Sequence, residues 1–315
     1  MKETSLYIHI PFCKQKCFYC DFPSFAGKER YREAYIEALC KEILNKCQQY
    51  KIKSIFIGGG TPSYLEVHEI KKLLETVNKL QLVDDMEFTM ECNPGTVNEE
   101  KLIAMKDGGI NRISFGLQSC NNELLKIIGR IHTYEEFVDN YKLARKLGFN
   151  NINVDLMYGL PNLTVDLWKD TLAKICNLKP EHISAYSLII EEGTAFYTLH
   201  MKDKLNLPSE EEEREMDKLT KDLLGSGGYN QYEISNYSLE GRECEHNKVY
   251  WKLKEYIGVG SSSSSYIDGF RVVNNPDVKS YIEKIQKNES VEIERYKNTI
   301  KDEIEEYMFM GLRLN

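Results

Sequence analysis

The chain has 315 residues, of which 42% are hydrophobic, and its formal net charge is −8. This length and composition allow one barrel-sized globular domain with an addition. The acidic balance argues against non-specific nucleic-acid binding, and no apolar stretch approaches the roughly 18 residues of a membrane span. Because the segment before Leu6 also lacks the pattern of a signal peptide, we expect a cytoplasmic protein.

Three cysteines, Cys13, Cys17 and Cys20, follow the apolar run from Leu6 to Ile10, which reads as a buried strand. A [4Fe-4S] cluster held by three thiolates keeps one iron free to bind a small molecule. The alternative is zinc, which prefers four protein ligands in closed structural sites, and the sequence contains no second C-x2-C unit. His9 lies within the strand run, where a hydrogen-bonded core histidine is its simpler interpretation.

The other six cysteines are scattered along the chain, which does not resemble a disulfide framework in a protein of this length. We therefore expect reduced thiols. An oxygen-sensitive cluster would need the same reducing setting.

Strands and helices then alternate along the chain. The predicted strands are Leu6–Ile10, Ser54–Ile57, Glu87–Cys92, Arg112–Leu117, Asn151–Met157 and His182–Leu188. The predicted helices between them are Lys28–Gln49, Val67–Leu80, Asn98–Lys106, Asn122–Ile128, Tyr134–Leu147 and Val165–Leu178.

Six strand-helix units favour an α/β fold, namely a parallel sheet curved into a partial (β/α)6 barrel. We place this barrel at residues 1–205 and a C-terminal α+β extension at residues 206–315. The extension contains predicted helices at Ser209–Leu224, Tyr281–Gln286 and Asp302–Met310. In such folds ligands bind at the carboxyl ends of the strands.

Polar residues and glycines follow several of these strand ends. The turn Gly58-Gly59-Gly60-Thr61 lets the backbone approach a ligand closely, but it lacks the lysine of a nucleotide-binding P-loop. Asp155 lies inside an otherwise apolar strand, where a charge is costly unless it has a partner. It therefore marks either a binding site or a structural ion pair.

Five segments of this chain together resemble radical S-adenosylmethionine (SAM) proteins, specifically the HemN/HemW branch. The resemblance implies that Cys13, Cys17 and Cys20 bind a [4Fe-4S] cluster whose open iron chelates SAM. The segments are Tyr7–Cys13, Gly58–Pro62, Glu91–Gly95, Ser114–Ser119 and Asp155–Pro161. The residues implied to line the SAM pocket are Tyr7, Tyr19, Gly59, Gly60, Thr61, Glu91, Gln118, Arg130 and Asp155.

Two features favour the HemW type, whose members are heme chaperones, over the HemN type. Phe22 stands where the oxygen-independent coproporphyrinogen III oxidases resembling HemN carry a fourth cysteine. The segment His246–Trp251 is similar to the H-N-x-x-Y-W motif of HemW proteins. The resemblance thus implies a protein that binds heme and passes it to acceptor proteins, with the oxidase as the alternative.

His246 is the heme-ligand candidate in that motif, because histidine is a competent axial ligand of heme iron. Cys244 is a rival soft ligand two residues away, and an ordinary surface turn is the structural alternative.

Two departures from the family pattern remain. The family's loop of the type G-x-G-x-G-A-H-S-Y appears as Gly258–Tyr266, with serines replacing glycine and histidine. The family also normally continues beyond the position of Asn315, so we expect the C-terminal part to be truncated.

Overall fold

Six parallel strands form the centre of the fold, in a computed structural model of the protein that describes residues 1–314. Each strand pairs in parallel with the next one along the chain. This order confirms the predicted α/β class and its sequence of strands. The strands are β1 (Lys2–Ile10), β2 (Tyr50–Gly59), β3 (Gln81–Cys92), β4 (Arg112–Gln118), β5 (Ile152–Tyr158) and β6 (His182–Ser187).

Helices connect these strands as predicted, and their starts are set by polar caps. The Thr133 and Thr164 hydroxyls each accept a hydrogen bond from a backbone N–H in the first helical turn. The first predicted helix divides, because Glu29–Tyr31 forms a short 3-10 turn before it. The helices are α1 (Arg32–Cys47), α2 (Val67–Val77), α3 (Glu99–Asp107), α4 (Asn122–Ile127), α5 (Tyr134–Lys146) and α6 (Val165–Leu178).

The third strand begins at Gln81, six residues before its predicted start at Glu87. Its early part is mostly half-exposed or exposed and includes Asp84 and Asp85, so the sequence carries no buried-strand signal there. A register shift between Ile52 and Ser54 of β2 accommodates the extra length.

The barrel stays open, because β1 and β6 do not pair with each other among the described residues. Two short strands, β7 (Asn230–Glu233) and β8 (Asn236–Ser238), extend the sheet beyond β6. On the other side β9 (Tyr256–Val259) pairs in parallel with β1. The outer strands are β10 (Ser264–Ile267), β11 (Phe270–Asn274) and β12 (Glu292–Lys297).

Five further helices accompany these strands: α7 (Ala195–His200), α8 (Glu210–Ser226), α9 (Glu245–Trp251), α10 (Val278–Gln286) and α11 (Ile300–Gly311). Throughout residues 1–314, no helix has both the length and the apolar character that a bilayer-spanning segment needs.

Alternation along the central strands separates an apolar layer from a polar interior. On β6, Ile183 and Ala185 belong to the hydrophobic core, whereas His182 and Ser184 hydrogen-bond to Asn153 on β5 and Tyr186 hydrogen-bonds to Gln118 on β4. Successive strand residues point to opposite faces, so one face packs against the helices and the other lines the barrel. The inside of the barrel is therefore polar.

Candidate functional site

A cavity of about 480 Å³ opens at the carboxyl ends of the central strands. It lies where ligands bind in parallel α/β folds. The cavity is lined by all three cysteines of the motif and by every residue of the predicted SAM set except Tyr7. These lining residues are Cys13, Cys17, Cys20, Tyr19, Gly59, Gly60, Thr61, Glu91, Gln118, Arg130 and Asp155.

The cysteine loop is held in place by backbone hydrogen bonds to distant segments. Cys13 N donates to Phe25 O at 3.0 Å, and Phe18 N donates to Ile128 O at 3.1 Å. These contacts attach the cysteine loop to the backbone at Phe25 and Ile128.

Burial raises the pKa of the Cys13 and Cys20 thiols. The thiols are therefore protonated in the ligand-free protein at neutral pH, and metal binding would have to displace their protons. Within residues 1–314, no three His, Cys, Asp or Glu side chains converge closely enough to hold a single metal ion. A [4Fe-4S] cluster does not require such convergence, since each thiolate binds a different iron.

The glycine turn after β2 packs directly against the cysteine loop. Gly60 N donates to Ile10 O at 2.8 Å, and Thr61 N donates to Phe12 O at 2.8 Å. A Cβ atom on Gly60 would lie 2.8 Å from Phe12 O, so a larger residue would push the two loops apart. Glycine is thus required here because two backbones approach each other, and the amides of Gly60 and Thr61 are already engaged by the cysteine loop.

Two carboxylates from adjoining strands border the cavity. Glu91 accepts a hydrogen bond from Gly59 N at 3.2 Å, whereas Asp155 accepts one from Ser114 Oγ at 3.1 Å and one from Asn153 Nδ2 at 2.7 Å. Burial, with a further contribution from the Asp155 charge, raises the pKa of Glu91 to about 8. Glu91 is therefore mostly neutral at pH 7 in the ligand-free protein.

The Arg130 guanidinium links the cysteine loop to strand ends across the cavity. It donates to Cys17 Sγ at 3.4 Å, to Asn93 Oδ1 at 2.8 Å and to Gly116 O. A permanently charged group therefore lies beside Cys17. Asn93 lies within a motif of the family resemblance, but its role in orienting Arg130 was not predicted.

The sequence analysis did not predict a network of hydrogen-bonded polar side chains that connects to Asp155 through Asn153. Asn153 Oδ1 accepts from His182 Nδ1 at 2.6 Å, and His182 Nε2 lies 2.8 Å from Tyr232 Oη. Tyr186 was also missed; it lines the cavity and donates to Gln118 Oε1 at 2.8 Å. The alternation of polar and apolar residues along β5 and β6 is the sequence signal that would have found them.

Tyr7, the remaining residue of the predicted SAM set, lines a second cavity of about 310 Å³. This cavity adjoins the first, because Phe22, Gly59 and Glu91 line both. His9 Nε2 donates to Pro23 O at 2.9 Å, so Nδ1 accepts from Tyr7 Oη at 3.0 Å. The interpretation of His9 as a buried, hydrogen-bonded histidine is confirmed.

The structure places His246 away from solvent and outside the lining of both cavities. Its Nδ1 lies 3.0 Å from Ser54 Oγ and its Nε2 lies 3.0 Å from Tyr250 Oη, so both ring nitrogens are engaged. Burial, together with the Arg112 charge, lowers the pKa of His246 to about 3 and keeps the ring neutral. In this conformation His246 has no free nitrogen for heme iron, and it lies on α9 rather than in a surface turn.

Cys244, the rival ligand, is also fully buried, and its thiol donates to Glu87 Oε1 at 3.3 Å.

Two residues that differ from the patterns of related proteins, Phe22 and Ser264, line the second cavity. Phe22, which occupies the position of the oxidase's fourth cysteine, is 61% exposed at the junction of the two cavities. Ser264, which replaces the histidine of the family's glycine-rich loop, lines the second cavity as well. Both departures therefore alter the chemistry of the same region.

Comparison with known proteins agrees with this geometry. Residues 7–175 match the radical SAM superfamily. A Bacillus subtilis (strain 168) protein named heme chaperone HemW is 41% identical over 314 residues, which cover 98% of this chain and 83% of that protein. The chain belongs to the HemW family of radical SAM proteins. The Escherichia coli (strain K12) HemW is 42% identical over 265 residues, covering 82% of this chain and 69% of that protein.

The fold has a solved counterpart in coproporphyrinogen III oxidase, HemN, from Escherichia coli, which is described as a radical SAM enzyme. The two superpose with a TM-score of 0.87 at 23% identity, over 100% of this chain and 76% of HemN. This likeness shows the fold. Membership in the radical SAM superfamily implies a [4Fe-4S] cluster and SAM as cofactors.

Proposed function

We propose that this chain is a heme chaperone that binds heme and transfers it to acceptor proteins. The observation that carries the proposal is the 41% identity, over 98% of the chain, to a protein named heme chaperone HemW. The likeness to HemN lies at 23% identity and concerns the fold only. The family with the closer sequence therefore provides the proposed activity.

We further propose that Cys13, Cys17 and Cys20 hold the [4Fe-4S] cluster. All three line the first cavity, and none takes part in a disulfide. Thr61 Oγ1 donates to Cys13 Sγ at 3.5 Å and Arg130 Nη1 donates to Cys17 Sγ at 3.4 Å, and donors of this kind also suit sulfur atoms bound to a cluster. When bound, the cluster would supply one-electron chemistry at its open iron.

The residues around the cysteines suit SAM, which carries a sulfonium, an ammonium and a carboxylate together with ribose hydroxyls. Asp155 is oriented by two donors, so its oxygens suit hydroxyl or ammonium groups. Glu91 provides a second carboxylate at the same cavity, and Arg130 provides a fixed positive charge beside Cys17. We assign these residues, with Tyr19, Gly59, Gly60, Thr61 and Gln118, to the SAM pocket.

The test is a heme titration of the anaerobically reconstituted protein, with an assay of coproporphyrinogen decarboxylation in parallel. We expect stoichiometric heme binding, transfer of heme to an apo-protein acceptor, and no decarboxylation. Turnover of coproporphyrinogen without heme binding would overturn the proposal in favour of the oxidase. Iron and sulfide analysis of the same sample checks the cluster, since stoichiometric zinc without cluster absorption would contradict the cofactor assignment.

A further inference from the structure

A row of three polar side chains crosses the central sheet beside the first cavity. Ser114 on β4, Asn153 on β5 and His182 on β6 are register partners, so their side chains share one face of the sheet. All three are buried, and neither Asn153 nor His182 lines the first cavity. Asp155 lies two residues after Asn153 on the same face and does line it.

The row holds both oxygens of the Asp155 carboxylate. Asn153 Nδ2 donates to Asp155 Oδ1 at 2.7 Å and to Ser114 Oγ at 2.7 Å. Ser114 Oγ in turn donates to Asp155 Oδ2 at 3.1 Å. Each carboxylate oxygen therefore has one fixed donor and keeps a further lone pair for a ligand. This arrangement requires that the nitrogen of the Asn153 amide points towards Asp155.

The direction of the hydrogen bonds in this row follows from a backbone amide in the C-terminal extension. Cys244 N donates to Tyr232 Oη at 3.2 Å, so the single proton of that hydroxyl is available to His182 Nε2 at 2.8 Å. Burial and the Arg112 charge lower the pKa of His182 well below its ordinary value, so the ring is neutral. Its one N–H is therefore on Nδ1, which donates to Asn153 Oδ1 at 2.6 Å.

The other tautomer of His182 would reverse Asn153. Nδ1 would then be an acceptor 2.6 Å from Asn153 Oδ1, and two acceptors at this distance repel each other. Turning the amide by half a rotation would relieve the repulsion, but it would place the amide oxygen against the Asp155 carboxylate. The Ser184 hydroxyl, 3.2 Å from Asn153 Oδ1, can rotate to suit either orientation and does not decide between them.

We propose that His182 is a positioning residue of the SAM site and that Tyr232 of the C-terminal extension selects its tautomer. This inference rests on the SAM pocket proposed above. The Nδ1–H group of His182 fixes the Asn153 amide, and the amide fixes the Asp155 carboxylate that meets hydroxyl or ammonium groups of SAM. Two residues that do not line the cavity thereby determine how tightly SAM binds.

The experiment measures the dissociation constant of SAM for the anaerobically reconstituted 315-residue protein by isothermal titration. An asparagine side chain can place its nitrogen where Nδ1 of histidine lies, whereas a glutamine side chain places its nitrogen where Nε2 lies. His182→Asn should therefore keep the donor to Asn153 and bind SAM within about twofold of the wild type. His182→Gln should lose this donor and bind SAM about tenfold more weakly.

Tyr232→Phe tests the selection of the tautomer without changing a side chain of the row. It removes the hydroxyl that donates to His182 Nε2, and we expect SAM binding to weaken by about threefold to tenfold. Tyr141→Phe is the matched control, because it removes a hydroxyl that donates to Leu178 O at 2.9 Å outside both cavities. Its SAM affinity should equal that of the wild type.

Three results would contradict the proposal or its basis. Equal SAM affinities of His182→Asn and His182→Gln would overturn it, because the Nδ1 donor would then have no effect of its own. A wild-type SAM affinity in Tyr232→Phe would overturn it even where neither His182 variant folds. Failure of the wild-type protein to bind SAM would instead contradict the cofactor assignment on which the proposal rests.

Discussion

The protonation state of Glu91 should influence how tightly the first cavity binds a cationic ligand. Burial raises the pKa of this carboxyl from its usual value of 4.5 to about 8. If the cationic SAM binds to the carboxylate form of Glu91, its binding at neutral pH is accompanied by release of the Glu91 proton. The apparent affinity for SAM should then rise with pH, by roughly tenfold between about pH 7 and about pH 9. Isothermal titration at several pH values measures this dependence.

Glu91→Gln is the control, because it keeps the shape of the side chain without its charge. The variant should lose this part of the pH dependence and retain only the part due to the amino group of SAM itself. The raised pKa of Glu91 also affects folding, because the folded state binds this proton more tightly than the unfolded state does. The contribution of Glu91 to the free energy of unfolding should therefore fall as the pH rises from 4.5 to about 8. Identical pH profiles of SAM affinity for the two proteins would show that SAM binding does not depend on the charge of Glu91.

The cysteines give a second prediction at this scale. Replacing Cys13, Cys17 or Cys20 with serine should abolish cluster binding, since each thiolate is expected to hold a different iron. Cys176→Ser is the matched control, because Cys176 is a half-buried thiol on α6 that lines neither cavity. Iron content and visible absorption after anaerobic reconstitution measure the effect. A wild-type iron content in any of the three motif variants would exclude that residue as an obligatory ligand.

Among the elements, helix α9 depends on a cap supplied by another strand. Its N-cap residue, Cys244, makes no side-chain capping hydrogen bond. Instead the carboxylate of Glu87 on β3 accepts from the backbone N–H groups of Glu245 and His246, both at 3.0 Å. This contact satisfies N–H groups that a helix cannot pair internally and attaches α9 to the barrel.

Glu87→Ala should therefore lower the free energy of unfolding by about 1–3 kcal/mol, because two backbone N–H groups at the start of α9 would lose their hydrogen-bond acceptor. Chemical denaturation monitored by circular dichroism measures the change. Glu75→Ala, at an exposed position on α2, should change stability by less than about 0.5 kcal/mol. Equal effects of the two substitutions would show that the cap contributes no more than an exposed glutamate does.

Across the whole molecule, the C-terminal extension covers both edges of the barrel sheet. Strand β9 pairs with β1, and β8 pairs with β6, so removal of the extension would expose two rows of unpaired backbone groups. Exposed edges of this kind promote aggregation. A chain ending at Leu205 should therefore aggregate or fail to fold, as size-exclusion chromatography and thermal unfolding would show.

A chain ending at Asn298 provides the comparison. It lacks α11, none of whose residues is buried, and it retains every paired strand of the sheet. We expect it to remain folded and monodisperse. A stable, soluble chain ending at Leu205 would show instead that the barrel of residues 1–205 is an independent domain.

Local patterns in the sequence predicted the order of the six central strands, most helix bounds and the cysteine loop, because periodicity, caps and cysteine spacing are properties of short segments of the chain. The family motifs likewise identified residues that gather at one cavity, since carboxyl ends of parallel strands meet at one edge of a sheet. Tyr7 lines the adjoining second cavity, and this position was not predictable although Tyr7 precedes Cys13 by only six residues. The alternation of residues along a strand shows which face of the sheet a side chain is on, but not which of two neighbouring cavities on that face it lines.

The surroundings of His246 depend on contacts between segments that are far apart in the chain. Its motif is local, but its burial depends on Ser54 from β2 and on the Glu87 cap from β3, more than 150 residues earlier. The sequence likewise gave no signal that the extension pairs with both sheet edges, because β7 to β10 are only three or four residues long. Such short strands carry no clear period and form because an existing edge offers them hydrogen-bond partners.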